Sequence, residues 1–268
     1  MNTVQRHYEA GLAASDPAAQ VRRFLDQHSG PLSGADLESL DQFHVRGLEA
    51  TGDLVAMMDL RPGMRVLDAG SGLGGPSRYV AGHTGSHVTG VDLTPAFVDI
   101  ATLLAERTGM AGQVDYRTGD LLALDLPDAA FDAVYTQHVV MNIADRAAVY
   151  GELARVLTPG GVFGFYDVLK VDGAADALYP TPWSESAATS FLLTEAETRA
   201  ALHGAGLVPA AWHDASDAAL AWFATQKPQP GSGLALVMGP RFGQMSANFA
   251  RNLKENRLRL VMAVSRKA

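Results

Sequence analysis

The stretch Val66-Leu-Asp-Ala-Gly-Ser-Gly-Leu-Gly-Gly-Pro-Ser77 constrains this chain more than any other. A short apolar run ends in a turn dense with glycine, and Pro76 suits the first turn of a helix, so the segment reads as strand, tight turn and helix. Glycine lets the backbone bend sharply and lets another group approach with no Cβ in the way. The alternation then continues. Apolar runs at Arg65–Asp68, His87–Asp92, Val114–Tyr116, Phe131–Thr136 and Gly161–Tyr166 are separated by helical stretches, the pattern of βαβ units around a buried parallel sheet.

The helices carry their own signals. Thr94 suits an N-cap and Pro95 the first helical position, and Phe97, Ile100, Ala101 and Leu104 then fall on one face. Val149, Leu153, Val156 and Leu157 make the stripe of another helix, stopped by Thr158-Pro-Gly-Gly161. Before Pro62 the chain reads helical, with an amphipathic helix over Val45–Leu60 and a loop at Ser29–Gly34. After Asp167 the alternation breaks. Val171–Phe191 holds Tyr179-Pro-Thr-Pro-Trp183, a rigid aromatic segment expected to form a lid or pocket wall. Thr194-Glu-Ala-Glu197 is a capping box opening a short helix, followed by a strand at Leu207–His213 and a helix over Asp217–Thr225. The Pro/Gly-rich stretch Lys227–Gly233, a helix over Phe242–Lys254 and a last strand at Arg257–Ser265 complete the reading. The expected organisation is a helical N-terminal cap over residues 1–61 and one α/β domain over 62–268, with the lid insertion near 171–191.

Charge and cysteine content remove several classes of function. Lys plus Arg number 21 and Asp plus Glu 29, so the formal charge is 21 − 29 = −8, and no basic footprint for nucleic acid appears. With no cysteine there are no disulfides, thiolate metal sites or cysteine nucleophiles. The N-terminus has no apolar h-region and nowhere do eighteen apolar residues run together, so no membrane span and a cytoplasmic location are expected.

What the glycine turn can hold depends on its neighbours. Gly70, Gly72 and Gly75 match G-x-G-x-x-G, so a nicotinamide or flavin dinucleotide must be weighed beside other adenosine cofactors. Asp68 stands two residues before Gly70, where its carboxylate would repel a pyrophosphate and attract an ammonium. Asp92 ends the next strand, where an acid can accept ribose hydroxyl protons. Asp120 follows the third strand, where a carboxylate can accept from an exocyclic amine while Leu121 packs on a ring. Three acids around one ligand favour a positively charged one.

Together D-x-G-x-G-x-G-G at Asp68 to Gly75, V-D-L at Val91 to Leu93 and G-D-L at Gly119 to Leu121 resemble the class I S-adenosylmethionine-dependent methyltransferases. Phe131-Asp-Ala-Val-Tyr-Thr-Gln-His138 and Leu153-Ala-Arg-Val-Leu-Thr-Pro-Gly-Gly161 extend the resemblance over roughly Arg61 to Lys170. It implies a Rossmann-like, mostly parallel seven-stranded sheet with helices on both faces, whose antiparallel last strand inserts between the fifth and sixth positions. It also implies that Gly70, Ser71 and Gly72 surround the methionine moiety, Asp92 and Leu93 the ribose, and Asp120 with Leu121 the adenine. The Asn-Pro-Pro-Tyr-type signature of nucleobase methylation is missing after the fourth strand, where Gln137-His-Val-Val-Met141 stands instead. The resemblance is to small-molecule enzymes, with S-adenosylhomocysteine as product and an N, O or C nucleophile as acceptor.

Methyl transfer is an in-line displacement that needs alignment, exclusion of water and sometimes removal of a proton. His138, after the fourth strand at the carboxyl edge where open α/β sheets bind ligands, is the candidate base or orienter. Gln137 is expected to contact the cofactor. His44, Tyr166, Asp167, Tyr179 and Trp183 are candidates for the substrate pocket. His7, His28, His83, His87, His203 and His213 have no ligand-type spacing, so no metal is assigned. Two alternatives stand, a nicotinamide-dependent oxidoreductase and a catalytically silent S-adenosylmethionine-binding protein, and a homo-oligomer is left open.

Overall fold

The computed structural model describes residues 17–26, 28, 30, 32–226 and 238–268. Residues 1–16, which include His7, and the stretch Lys227–Gly233 lie outside the described residues. Helices α1 (Pro17–Asp26), α2 (Gly34–Asp41) and α3 (Gly47–Met58) precede the first strand. Then come β1 (Arg65–Ala69), α4 (Gly75–Thr84), β2 (His87–Asp92), α5 (Pro95–Arg107), β3 (Val114–Thr118), β4 (Phe131–Gln137), α6 (Arg146–Val156) and β5 (Leu157–Lys170). The chain closes with α7 (Glu195–Gly204), β6 (Leu207–Asp214), α8 (Ser216–Thr225), α9 (Phe242–Lys254) and β7 (Leu258–Lys267).

The seven strands form one sheet in the order β3-β2-β1-β4-β5-β7-β6. β1 to β5 pair in parallel, while β7 lies antiparallel between β5 and β6. The central strands are apolar on both sides because helices cover both faces. Period two sorts their side chains: Val66, Tyr135 and Tyr166 join Leu54 and Met58 of α3 and Val80 of α4 in one core. Leu67, Val134 and Phe165 join Val149 and Leu153 of α6 and Leu202 of α7 in the other. Each such buried side chain contributes about 1.5–3 kcal/mol relative to exposure.

Two boundaries differ from expectation for a physical reason. β5 is longer than Gly161–Tyr166, running from Leu157 to Lys170, because β7 pairs with it as far as Lys170↔Leu258. The expected turn Thr158-Pro-Gly-Gly161 is absorbed as an irregularity within the strand, where Leu157 pairs with Phe131 and Val162 with Ala133. Thr94 is the N-cap residue of α5, yet its side chain makes no cap hydrogen bond.

The N-terminal helices pack where the glycine turn emerges. Val21 and Leu25 of α1 and Leu37 and Leu40 of α2 share a core with Leu73 of the turn and with Phe97, Ile100 and Leu104 of α5. The irregular segment between β5 and α7 is fastened to α9. The fully buried Asn252 accepts from Leu178 N at 2.8 Å and donates to Leu178 O at 3.0 Å, and Asn248 donates to Pro180 O at 2.9 Å. Trp183 in this segment is buried, with Nε1 donating to Ser190 Oγ at 2.9 Å and its ring edge-on to Phe249.

Candidate active site

Three carboxylates stand at the ends of, or just beyond, three neighbouring strands. Asp68 of β1 is 2% exposed and its Oδ2 accepts from Ser77 Oγ at 2.6 Å. Burial pushes its carboxyl up to about 6. Beyond it Gly70 N and Ser71 N both donate to Val91 O, which folds the turn back over β2. Asp92 then holds the turn from β2: its Oδ2 accepts from Gly72 N and its Oδ1 from Thr94 N, both at 2.9 Å. Each oxygen keeps a further acceptor position. Burial raises Asp92 as well. Asp120 is exposed and uses Oδ1 for Leu122 N at 2.9 Å, while Leu121 beside it is buried.

These groups line a cavity of about 370 Å³, within the roughly 300–1,000 Å³ usual for small-molecule sites. Its opposite side carries two imidazoles. His138 has a positive φ of 55° and donates its backbone N–H to Tyr166 O at 2.7 Å. Its Nε2 is buried without a partner, and burial together with His44 holds the ring well below its usual pKa, hence neutral. His44 is buried, with Nε2 at 2.9 Å from Gly47 O and 3.0 Å from Thr51 Oγ1. A carbonyl only accepts, so the network assigns the proton to Nε2 and leaves the lone pair on Nδ1. Burial pushes His44 down to about 4. The Thr51 hydroxyl continues this chain to the Gln137 carboxamide at 3.3 Å, tying α3 to the end of β4.

Of the residues singled out in the sequence, Asp68, Gly70, Ser71, Gly72, Asp92, Leu93, Asp120, Leu121, Gln137, His138, His44 and Trp183 all line this cavity. Three others do not. Tyr166 is fully buried behind the imidazoles, its ring 5.1 Å from His138 and 6.0 Å from His44. Asp167 points the other way along β5, and its carboxylate accepts from Met141 N at 3.1 Å and Val168 N at 2.9 Å, a structural clamp on the segment after β4. Burial pushes it up to about 6. Tyr179 lies outside the lining, and Trp183 is the aromatic of that motif that reaches the cavity. Among the described residues no group of three or more His, Asp or Glu is placed to hold a metal ion.

Sequence reasoning missed Phe43, Asn142, Asp145, Phe191 and Phe242, which also line the cavity. The first three flank His44 or follow His138, and the carboxyl-edge rule pointed at their neighbourhood. Nothing local marks Phe191 or Phe242.

The glycines also act differently from expectation. A Cβ at Gly75 would overlap the side chains of Asp41 and Gln42, and one at Gly70, where φ is 93°, would overlap Val139. Both residues make room for the chain itself as well as shaping a turn. Asp41 ends α2 and forms an ion pair with Arg78 of α4 at 2.5 Å, with both side chains at most 6% exposed. Burial pushes Asp41 up to about 6 against the pull of Arg78, whose Nη1 donates to Leu73 O at 2.9 Å.

A family model described as "Methyltransferase domain" matches residues 67–165. Sterol 24-C-methyltransferase erg-4 of Neurospora crassa is 41% identical over 119 residues, 44% of this chain and 31% of that protein. Phosphoethanolamine N-methyltransferase 3 of Arabidopsis thaliana is 32% identical over 152 residues, 55% of this chain and 31% of that one. The matched region thus spans about a third of the length of either relative. Among solved structures, geranyl diphosphate C-methyltransferase of Streptomyces coelicolor A3(2) superposes with a TM-score of 0.70 at 18% identity, covering 82% of this chain and 77% of that chain. The [4+2]-cyclase SpnF superposes with a TM-score of 0.66 at 25% identity, covering 82% and 80%.

Proposed function

We propose that this chain, which carries a methyltransferase domain over residues 67–165 on the seven-stranded class I fold, transfers a methyl group from S-adenosylmethionine to a small-molecule acceptor. The observation that carries the reading is the carboxylate series Asp68, Asp92 and Asp120 along the edges of β1, β2 and β3, all facing one cavity. A cationic nucleoside fits these residues. Asp68 offers a buried carboxylate to an ammonium, Asp92 has acceptor positions left for two ribose hydroxyls, and Asp120 has Oδ2 for an exocyclic amine above Leu121. Ser71 Oγ is buried without a partner at the same turn, a hydroxyl that a bound ligand would satisfy. A nicotinamide dinucleotide fits less well, since a pyrophosphate at this turn would face Asp68.

When bound, S-adenosylmethionine supplies an electrophilic methyl on a sulfonium and leaves as S-adenosylhomocysteine. The residues of the chain do the rest. The backbone of Gly70, Ser71 and Gly72 fixes the position of that ligand, because Asp92 pins Gly72 N and Val91 O pins the two residues before it. Phe43, His44, Trp183 and Phe191 cover the opposite side and exclude water. His138, neutral and with Nε2 unpartnered, is placed to take a proton from an acceptor hydroxyl or amine. His44 presents the lone pair of Nδ1, fixed by Gly47 O and Thr51, and orients the acceptor. On this reading residues 1–61 act as a cap on the domain of residues 62–268, whose segment near 171–191 forms a wall. The chain is further taken to be cytoplasmic, which fractionation of cells expressing a tagged copy checks; among the described residues no helix is long and apolar enough to cross a membrane.

Titration calorimetry should detect S-adenosylhomocysteine binding, and Asp92→Ala should weaken it roughly 10- to 100-fold, by losing one charge-assisted hydrogen bond or more. Tight NADH binding with no affinity for S-adenosylhomocysteine would overturn the reading. Because the fold also serves a protein named as a cyclase, release of S-adenosylhomocysteine over a panel of phenols, alcohols, amines and carbon acids separates catalysis from binding alone. A pH dependence follows from Asp68. Its carboxyl, at about 6 in the free protein, must be ionised to hold an ammonium. Affinity should be flat above about pH 6 and fall towards tenfold per pH unit below it. Asp68→Asn should bind weakly and without that slope.

A further inference from the structure

We propose that the acceptor side of this cavity takes an uncharged, apolar molecule bearing a single hydroxyl or amine nucleophile, and rejects phosphate esters. The inference rests on the methyltransferase reading for the cofactor side. Strand order separates the two sides. The three carboxylates follow β1, β2 and β3, whereas the remaining wall follows β4 and β5 or comes from the segment after α2 and from α9.

The apolar residues of that wall are Phe43, Met141, Ile143, Trp183, Phe191 and Phe242, and the polar Asn142 and Thr189 lie among them. Aromatic and aliphatic surface of this kind gains free energy in proportion to the apolar area it removes from water. Nε2 of His138 is buried with no partner, and an acceptor hydroxyl or amine that reached it would satisfy it. Charge decides the rest. Asp145 lines the cavity in addition to Asp68, Asp92, Asp120 and the Arg78-paired Asp41, and among the described residues that line the cavity there is no Lys or Arg.

Two buried arginines in the same region are tied to protein groups, with only Nη1 of Arg146 buried without a hydrogen-bond partner. Arg78 pairs with Asp41 and Leu73 O. Arg146 donates Nη2 to Phe191 O at 2.7 Å and interacts with the buried Asp167, and neither arginine lines the cavity. A phosphate entering here would lose its hydration and meet carboxylates, with no Lys or Arg among the described lining residues to offset them; the donors it would find, on Ser71, Gln137, Asn142 and Thr189, are neutral. Two proteins compared above are named for phosphorylated acceptors, phosphoethanolamine and geranyl diphosphate; on this proposal the present chain takes a different class of acceptor.

The test is calorimetric titration of the full chain with 1-naphthol and with 1-naphthyl phosphate, each with and without saturating S-adenosylhomocysteine. Naphthol should bind at least about tenfold tighter than its phosphate ester in both states. Asp145→Asn, which keeps an N-cap acceptor for Ala148 N, should narrow that ratio about threefold through the phosphate alone. Equal or tighter binding of the phosphate overturns the proposal, as does no uptake of naphthol up to its solubility. A ratio unchanged by Asp145→Asn also overturns it, because the discrimination would then arise elsewhere. The two readings fail separately: loss of S-adenosylhomocysteine affinity with naphthol preferred defeats the cofactor assignment alone, and the reverse defeats this one alone.

Discussion

On the proposed methyl-transfer reading, a His138→Asn variant should keep its affinity for S-adenosylhomocysteine and lose about two to four orders of magnitude in kcat on a phenol or alcohol acceptor. Asparagine is the conservative choice because the backbone at 138 has a φ of 55°, a region that Asn tolerates and most side chains do not. Its carboxamide can still hydrogen-bond the acceptor but cannot remove a proton near neutral pH. The native imidazole, held neutral by burial and the neighbouring His44, has a ring lone pair with which to accept one. Affinity for the nucleoside should hold, because the carboxylates that would bind it stand near the ends of β1 and β2 and just beyond β3. With a phenol the deficit should shrink as pH approaches the acceptor's own pKa, where the acceptor ionises unaided. The measurement is release of S-adenosylhomocysteine against pH for both enzymes. A kcat within about threefold of the native value would remove His138 from the mechanism.

Asp41→Ala should destabilise the fold by about 3–5 kcal/mol. The carboxylate is the ion-pair partner of a guanidinium that is 6% exposed, and arginine cannot shed its proton to escape burial. Arg78→Leu should be milder, about 1–3 kcal/mol, because the carboxyl left behind, already pushed up to about 6 by burial, can protonate. Removing both groups in Asp41→Leu with Arg78→Leu should cost less than Asp41→Ala alone, the signature of a buried pair whose halves are worse apart than absent. Urea midpoints for the three variants check this, and an Asp41→Ala loss under about 1 kcal/mol would show that the guanidinium finds another partner. Because Asp41 packs against Gly75 and Arg78 lies on α4, the loss should also loosen the glycine turn and weaken nucleoside binding.

The parts of the fold legible in the sequence are those whose signal lies within one element. The turn after β1 announces itself in consecutive glycines. β2 and α9 fall at the predicted bounds, His87–Asp92 and Phe242–Lys254, and the capping box of Thr194 and Glu197 forms with both of its hydrogen bonds. Asp92 and Asp120 could be found because each closes or follows a strand, and a parallel sheet brings successive strand ends to one edge. The same rule misled at Asp167. β5 runs on to Lys170 under the pull of β7, so this residue sits inside the strand and its carboxylate meets backbone amides of the segment after β4. Within Tyr179-Pro-Thr-Pro-Trp183 the sequence offers two aromatics with nothing to choose between them. The anchoring of Leu178 and Pro180 by Asn252 and Asn248 accompanies a segment in which Trp183 alone of the two lines the cavity.

By itself, then, the order of residues determined the α/β class and the acid-lined glycine turn, since periodicity, caps and motif spacing act over a few covalent neighbours; the antiparallel sense of the final strand follows from the family resemblance. Tertiary structure alone decided that Asp41 meets Arg78 across 37 positions, that Thr51 links His44 to Gln137, and that Phe43 and Phe242 line the same cavity. Those contacts join segments far apart in the chain. Their partners are selected by burial and by the pairing of groups removed from water, and neither condition exists until the sheet and its covering helices are assembled.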